Sequence, residues 1–110
     1  MKKLKGYTFD VTTRYITRGI NEQVPVNLQT LLWDKVDRVV SSTLPADYLQ
    51  VFTFEKTKEN KLSIYHKQEQ PMFEASFEVP MNSQNEKLIG KKVYIIDDID
   101  HSTMLFAEEY

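Results

Sequence analysis

The clearest periodicity in the chain runs from Pro25 to about Ser41, where apolar residues recur at the spacing of one helical face and polar residues fill the other. Pro25 fits the first helical turn, where a missing N–H costs nothing, and the step from Leu44 to Pro45 ends the segment. The pattern predicts one main amphipathic helix. Its apolar positions are Leu28, Leu31, Leu32, Val36, Val39 and Val40.

Four later segments are typical of strands, and polar turn residues separate them. The middle two alternate apolar and polar side chains, which predicts one face packed on the helix and one face exposed. The first and last carry bulky apolar side chains on both faces, as central strands do. Short connections between them favour antiparallel pairing. The segments are Tyr48 to Glu55, Lys61 to Lys67, Phe73 to Val79 and Lys92 to Asp97.

These elements predict an α+β fold with a mainly antiparallel sheet of about five strands and one main amphipathic helix packed on one face. Shorter patterns indicate a strand through Tyr15 and Ile16 and a last element from Thr103 to Ala107, for which a helical turn capped by Ser102 is an alternative. We expect residues 13–110 to form a single domain, and residues 1–12 to be an N-terminal extension that is either flexible or an edge strand.

One helix cannot cover two faces of a sheet that carries apolar side chains on both. Either the terminal segments fold over the second face, or its aromatic side chains form part of a partner surface. The candidates for such a surface are Tyr48, Tyr65 and Tyr94, together with Arg14 and Arg18 near the start of the chain.

Composition narrows the class of protein. The 110 residues are 41% hydrophobic and 27% charged, as in an ordinary globular domain. The absence of Cys excludes a disulfide framework, a thiolate zinc site and a Cys nucleophile, and it suits a reducing compartment. Because the basic start lacks a following apolar stretch and the longest apolar runs are only four residues, we expect a cytoplasmic protein with no membrane partner.

A nucleic-acid hypothesis rests on two arginines. Arg14 and Arg18 lie four residues apart around Tyr15, so on a strand both would point to one face and could grip a phosphate with their planar groups. Lys91 and Lys92 would extend the patch, and exposed tyrosines would stack on single-stranded bases. The net charge of −2 and the lack of a ribonucleoprotein-type aromatic motif argue against this hypothesis.

The densest set of potential metal ligands follows the last predicted strand and consists of Asp97, Asp98, Asp100 and His101. Carboxylates there could hold Mg²⁺ or Ca²⁺, with the His as a base or a softer ligand. The spacing is not that of an EF-hand loop. An acidic turn leaving a strand explains the same residues, because Asp favours turns by bonding its own backbone.

Motifs for catalysis and for cofactors are missing from the chain. Neither His66 nor His101 lies in a recognisable nucleophile context, no nucleophile elbow is present, and three glycines cannot build a phosphate-binding loop. We therefore expect no catalytic residue and no cofactor. His66 falls on the apolar side of its strand, where a hydrogen-bonded boundary residue is expected, and Trp33 is expected to be a core or boundary aromatic of the helix.

Three separated strings resemble a small family of uncharacterised Gram-positive bacterial proteins, domain of unknown function 960. They are Thr13 to Glu22 (TRYITRGINE), Asp47 to Phe52 (DYLQVF) before the sheet, and the ending from Val93 (VYIIDD, HSTML and EEY). The resemblance covers about residue 13 to the C-terminus. Because that family carries no assigned activity, the resemblance implies neither a mechanism nor site residues.

The sequence thus favours a non-enzymatic protein-interaction or accessory module that meets another protein or a second copy of itself. This expectation rests on the apolar surface of the strands, which is larger than one helix can cover. A metal-dependent enzyme or metal-binding protein built on the Asp97 to His101 cluster is one alternative. Single-stranded nucleic-acid binding through Arg14 and Arg18 is the other.

Overall fold

Six strands form one mixed sheet in the order β1-β6-β5-β2-β3-β4, in a computed structural model that describes residues 6–110. Met1 to Lys5, the basic start of the predicted extension, lie outside the described residues. The strands are β1 (Arg14–Ile16), β2 (Leu49–Lys56), β3 (Lys61–Gln68), β4 (Phe73–Pro80), β5 (Lys92–Asp97) and β6 (Ser102–Phe106), and the helices are α1 (Arg18–Gln23) and α2 (Val26–Ser41).

The mixed α+β class is confirmed, whereas the count of about five strands is too low. Strands β2 to β5 match the four predicted segments to within one residue at each end. The segment after Asp100 is strand β6 and not a helical turn, because it pairs antiparallel with β5 on one side and parallel with β1 on the other. The sheet is therefore partly parallel, because β1 and β6, the first and last strands in the chain, run side by side in the same direction.

Helix α2 is the main helix that the periodicity predicts, with Pro25 in the N-cap position. Its buried apolar residues Leu28, Leu32, Val36 and Val39 follow one face and pack into the core. The preceding helix α1 is a single short element that starts after Thr17, whose hydroxyl accepts a hydrogen bond from the Ile20 N–H. Neither helix is long and apolar enough to cross a membrane.

The hydrophobic core lies between the helices and one face of the sheet. The strand residues in it alternate along each strand, as side chains of a single sheet face do. Both helices contribute to the same cluster, α1 through Ile20 and α2 through its buried stripe. Strands contribute Phe52, Phe54, Leu62, Ile64, Val93, Ile95, Met104 and Phe106.

The N-terminal segment packs onto this unit from Gly6 onward. The Tyr7 N–H donates to the Ala46 carbonyl at 2.9 Å, and Phe9 is fully buried in the core. A side chain at Gly6 would place its first carbon 2.2 Å from the Ala46 nitrogen, so this close approach requires glycine. Residues 6–12 are therefore anchored, and this stretch of the described chain contains no strand.

Candidate functional site

The face of the sheet opposite the helices is the candidate site, and we call it the open face. It is formed by every strand residue that lies out of phase with core residues such as Phe52, Ile64 and Val93. The open face comprises Tyr15, Leu49, Val51, Thr53, Glu55, Lys61, Ser63, Tyr65, Lys67, Glu74, Ser76, Glu78, Pro80, Lys92, Tyr94, Ile96, Thr103 and Leu105.

Strand register arranges the centre of the open face in two cross-strand rows. Directly opposed residues in neighbouring strands lie close enough for their side chains to interact. The first row is Leu105, Tyr94, Val51, Lys67 and Glu74, and the second is Lys92, Thr53, Tyr65 and Ser76. The two rows place tyrosine and lysine side chains beside one another across β5, β2 and β3.

Part of the open face is apolar and already shielded. Val51, Ile96 and Leu105 are only 7–8% exposed, although they lie outside the core cluster between sheet and helices. At this face the ring of Tyr110 meets the ring of Tyr94 edge-on, with centroids 6.0 Å apart. Tyr110 itself is 82% exposed, so this contact places its ring beside β5 without burying it.

The remainder of the open face forms a depression of about 670 Å³. Val51 and Thr53 of β2 lie at its centre, while Lys67 and Lys92 are exposed on either side of that strand. Tyr65 is 44% exposed and adds an aromatic wall. The depression therefore combines an apolar and aromatic surface with two exposed ammonium groups and two exposed carboxylates, those of Glu55 and Glu74.

Two of the three predicted tyrosines share the open face. Tyr65 and Tyr94 lie on β3 and β5, the two strands that flank β2. Tyr48 is not grouped with them, because it precedes β2 and its ring packs at 6.0 Å from the ring of Tyr7. The residues that join Tyr65 in the depression, Lys67 and Lys92, were not singled out as one surface by the sequence, since their neighbourhood depends on strand order.

The two predicted arginines have different environments. Strand β1 ends at Ile16 and Arg18 begins α1, so the alternation that would place both on one strand face does not apply. Arg18 is exposed and pairs with Glu22 one turn later. Arg14 forms an ion pair with Asp37 of α2, lies over the Trp33 ring, and donates from Nη2 to the Phe9 carbonyl at 2.8 Å. Arg14 thus holds the N-terminal segment against α2.

Arg14→Lys is expected to lower the free energy of unfolding by about 1 kcal/mol, because an ammonium cannot reproduce the planar fork that serves Asp37 and Phe9 together. Chemical denaturation measures the change. Arg18→Lys is the matched control and should change stability by no more than about 0.5 kcal/mol, since an exposed helical ion pair contributes little. Equal effects of the two substitutions would contradict the anchoring role.

The acidic segment after β5 forms a tight turn. The Asp97 carboxylate is buried and accepts hydrogen bonds from the Phe9 N–H at 3.0 Å and the Ile99 N–H at 2.9 Å. Asp98 and His101 face each other, with Oδ2 3.6 Å from Nε2. Within residues 6–110, no three His, Asp or Glu side chains are grouped closely enough to hold a metal ion. The contacts assign Asp97 to the folding of the turn and of the N-terminal segment.

A buried polar network on the helix side of the sheet was not foreseen. Gln50, His66 and Gln68 are 0–2% exposed. Gln50 accepts a hydrogen bond from His66 Nε2 at 2.6 Å and donates to Gln68 Oε1 at 2.7 Å. Gln68 continues the network to the loops before β2 and before β4 by donating to the carbonyls of Pro45 and Pro71. The network joins β2, β3 and these loops.

Burial lowers the pKa of His66 from 6.5 to about 4, and the positive charge of Lys35 on α2 adds to the shift. The imidazole is stacked on Phe52 at 4.4 Å and meets Phe73 edge-on at 5.4 Å between centroids. It is therefore neutral at pH 7, and Nε2 carries the proton that Gln50 accepts. The sequence-based expectation that His66 is hydrogen-bonded holds, but the residue is buried and does not lie at the boundary of the core.

The geometry first defines a class of protein. Within residues 6–110 it is a mixed six-stranded α+β sheet that has both helices on one face and tyrosines and lysines on the other. Comparison with known proteins then gives the family. The family model described as Staphylococcal protein of unknown function (DUF960) matches residues 13–109, and the chain belongs to this family. The match begins at the residue where the predicted domain begins.

A solved structure has the same fold. A crystal structure of a protein of unknown function from Enterococcus faecalis superposes with a TM-score of 0.78 over 94% of this chain and 95% of that chain, at 21% sequence identity. Among curated proteins, none matches this chain. The comparisons therefore establish family and fold, and the function has to be argued from the surface.

Proposed function

We propose that this protein is a non-enzymatic interaction module that binds another protein through the open face of its sheet. One observation carries the proposal: both helices pack on the same side, and the second side of the sheet exposes Tyr65, Lys67 and Lys92. A sheet face with exposed aromatic groups around a depression is a surface that a partner can cover with gain of apolar contact.

Charge indicates what the partner carries. Lys67 and Lys92 lie on opposite sides of β2 and frame the apolar centre at Val51. A partner element that places carboxylates against these two ammonium groups, basic groups against Glu55 and Glu74, and an apolar side chain over Tyr65 would complement the depression. Tyrosine suits such a contact because it offers a large apolar ring and a hydroxyl at its tip.

Lys92→Glu is expected to weaken capture of the partner by about tenfold, because it replaces attraction by repulsion at the edge of the depression. The measurement is quantitative affinity capture with the full chain from the cells that produce it. Lys58→Glu is the matched control. Lys58 is exposed in the turn between β2 and β3, so this substitution makes the same change of charge away from the depression.

The outcome that would contradict the proposal is equally specific. If every protein captured by the native chain is captured to the same extent by Lys92→Glu and by a Tyr65→Ser variant, the open face is not the binding surface. Light scattering on the same variants separates a second copy from a different protein, because self-association would fall with Lys92→Glu in the absence of any other component.

A further inference from the structure

Strand β4 ends the sheet opposite β1, and its outer edge is long and accessible. Among residues 6–110, β3 is the one strand that pairs with it. None of its eight residues, Phe73–Pro80, is buried. Along such an edge, alternate residues direct backbone N–H and C=O groups away from the sheet, where another strand can pair with them.

Beside this edge lies an apolar groove of about 220 Å³ between β4 and the second half of α2. Phe73, Ala75 and Phe77 line it from β4, Val39 lines it from α2, and His66 lies between them. Lys35 and Arg38 of α2 also border the groove, so a side chain that enters it has to be uncharged. The small side chain of Ala75 leaves a gap between the two phenylalanines, which stand two residues away on either side of it. The gap has the position and the chemistry to receive one apolar side chain of an added strand.

We propose that β4 accepts an extended segment of a partner protein as a further strand of the sheet. An apolar side chain of that segment enters the groove above Ala75, and its neighbours on the opposite side of the strand are basic. Backbone hydrogen bonds to the outer edge of β4 provide affinity. The groove provides selectivity, because it contacts only the alternate side chains of the segment that point toward α2. The groove and the outer backbone edge of β4 differ from the depression around Lys92, although Ala75 and Ser76 border both surfaces, so the inference goes beyond the open-face proposal.

The negative charges on β4 indicate that the added segment of the partner is basic. Glu74 and Glu78 are exposed on the open-face side of the strand, at positions where a neighbouring strand would oppose them. Lys or Arg opposite either carboxylate forms a favourable cross-strand pair. A second copy of β4 fits less well, because antiparallel pairing centred on Ser76 would oppose Glu74 to Glu78 at two places.

The test uses the full chain and a short synthetic peptide in which Lys alternates with Val and Leu. NMR titration should move the backbone amide signals of β4 and the signals of Val39 and His66. Ala75→Phe, which fills the groove, should weaken binding by about tenfold or more, whereas Ala75→Ser, which leaves the gap, should retain it. Glu78→Lys should weaken binding as well, and Glu78 does not line the depression around Lys92. Thermal melting of each variant verifies that it is folded.

Three results would overturn the inference. The first is equal affinity for a peptide of the same sequence with N-methylated backbone amides, because charge alone would then explain binding. The second is undiminished binding to Ala75→Phe. The third is a dimer of the native chain that Ala75→Phe dissociates, which would assign the edge to a second copy. Lys92→Glu should leave peptide affinity within about twofold, since exposed charges at a distance are screened, and this keeps the two proposals distinguishable.

Discussion

Replacing Gln68 with Leu is expected to lower the free energy of unfolding by about 2–4 kcal/mol, because all the hydrogen-bonding groups of this buried amide are in use. Oε1 accepts from the Asp47 N–H at 2.9 Å and from Gln50 Nε2 at 2.7 Å. Nε2 donates to the carbonyls of Pro45 and Pro71 at 3.0 and 2.9 Å. Leu fills a similar volume but leaves two donors and two acceptors without that partner.

Urea denaturation at pH 7 measures the effect. Gln23→Leu is the matched control, because Gln23 is exposed at the end of α1 and the same substitution there should change stability by no more than about 0.5 kcal/mol. If Gln68→Leu costs no more than the control, the network contributes packing alone and its hydrogen bonds do not determine stability.

Stability should also fall by up to about 3 kcal/mol between pH 6.5 and pH 4 on account of His66. The pKa of this histidine is about 4 in the folded protein and near 6.5 when the chain is unfolded. The unfolded chain therefore takes up a proton in this interval and the folded chain does not. Its contribution is fully present above pH 6.5 and is lost as the pH falls.

The slope of unfolding free energy against pH tests this directly. His66→Phe removes the titrating group, so its slope between pH 6.5 and 4 should be flatter than that of the native protein, whatever its absolute stability. An unchanged slope in His66→Phe would show that other groups cause the acid sensitivity.

The fold was predictable where the pattern is local and repeated. Helix α2 and strands β2 to β5 each contain enough apolar positions in one period to be assigned. Helix α1 was missed because it has six residues and a single buried one, Ile20. Strand β6 remained ambiguous because Met104, Leu105 and Phe106 are buried on both faces, so the run shows no period. Its parallel pairing with β1 joins distant parts of the chain.

The candidate surfaces were predictable to a smaller extent. Alternation places Tyr65 on the side of its strand opposite Leu62 and Ile64, but strand order decides that Lys92 and Lys67 flank the same strand. The buried glutamines were overlooked, although a signal exists: Gln50 is in phase with Phe52, and Gln68 is in phase with His66. A polar residue in phase with core positions on each of two neighbouring strands predicts a hydrogen-bonded pair.

The joining of the first and last strands determines when this chain can fold during synthesis. β1 pairs with β6, and the Thr17 hydroxyl donates to Glu109, 92 residues further along the chain. Phe9 depends on Asp97 in the same way, 88 residues away. Until residues 97–109 have left the ribosome, Phe9 and β1 lack these partners. We therefore expect the native sheet to close only after this segment has emerged, and translation arrested before Ser102 to leave a protease-sensitive chain.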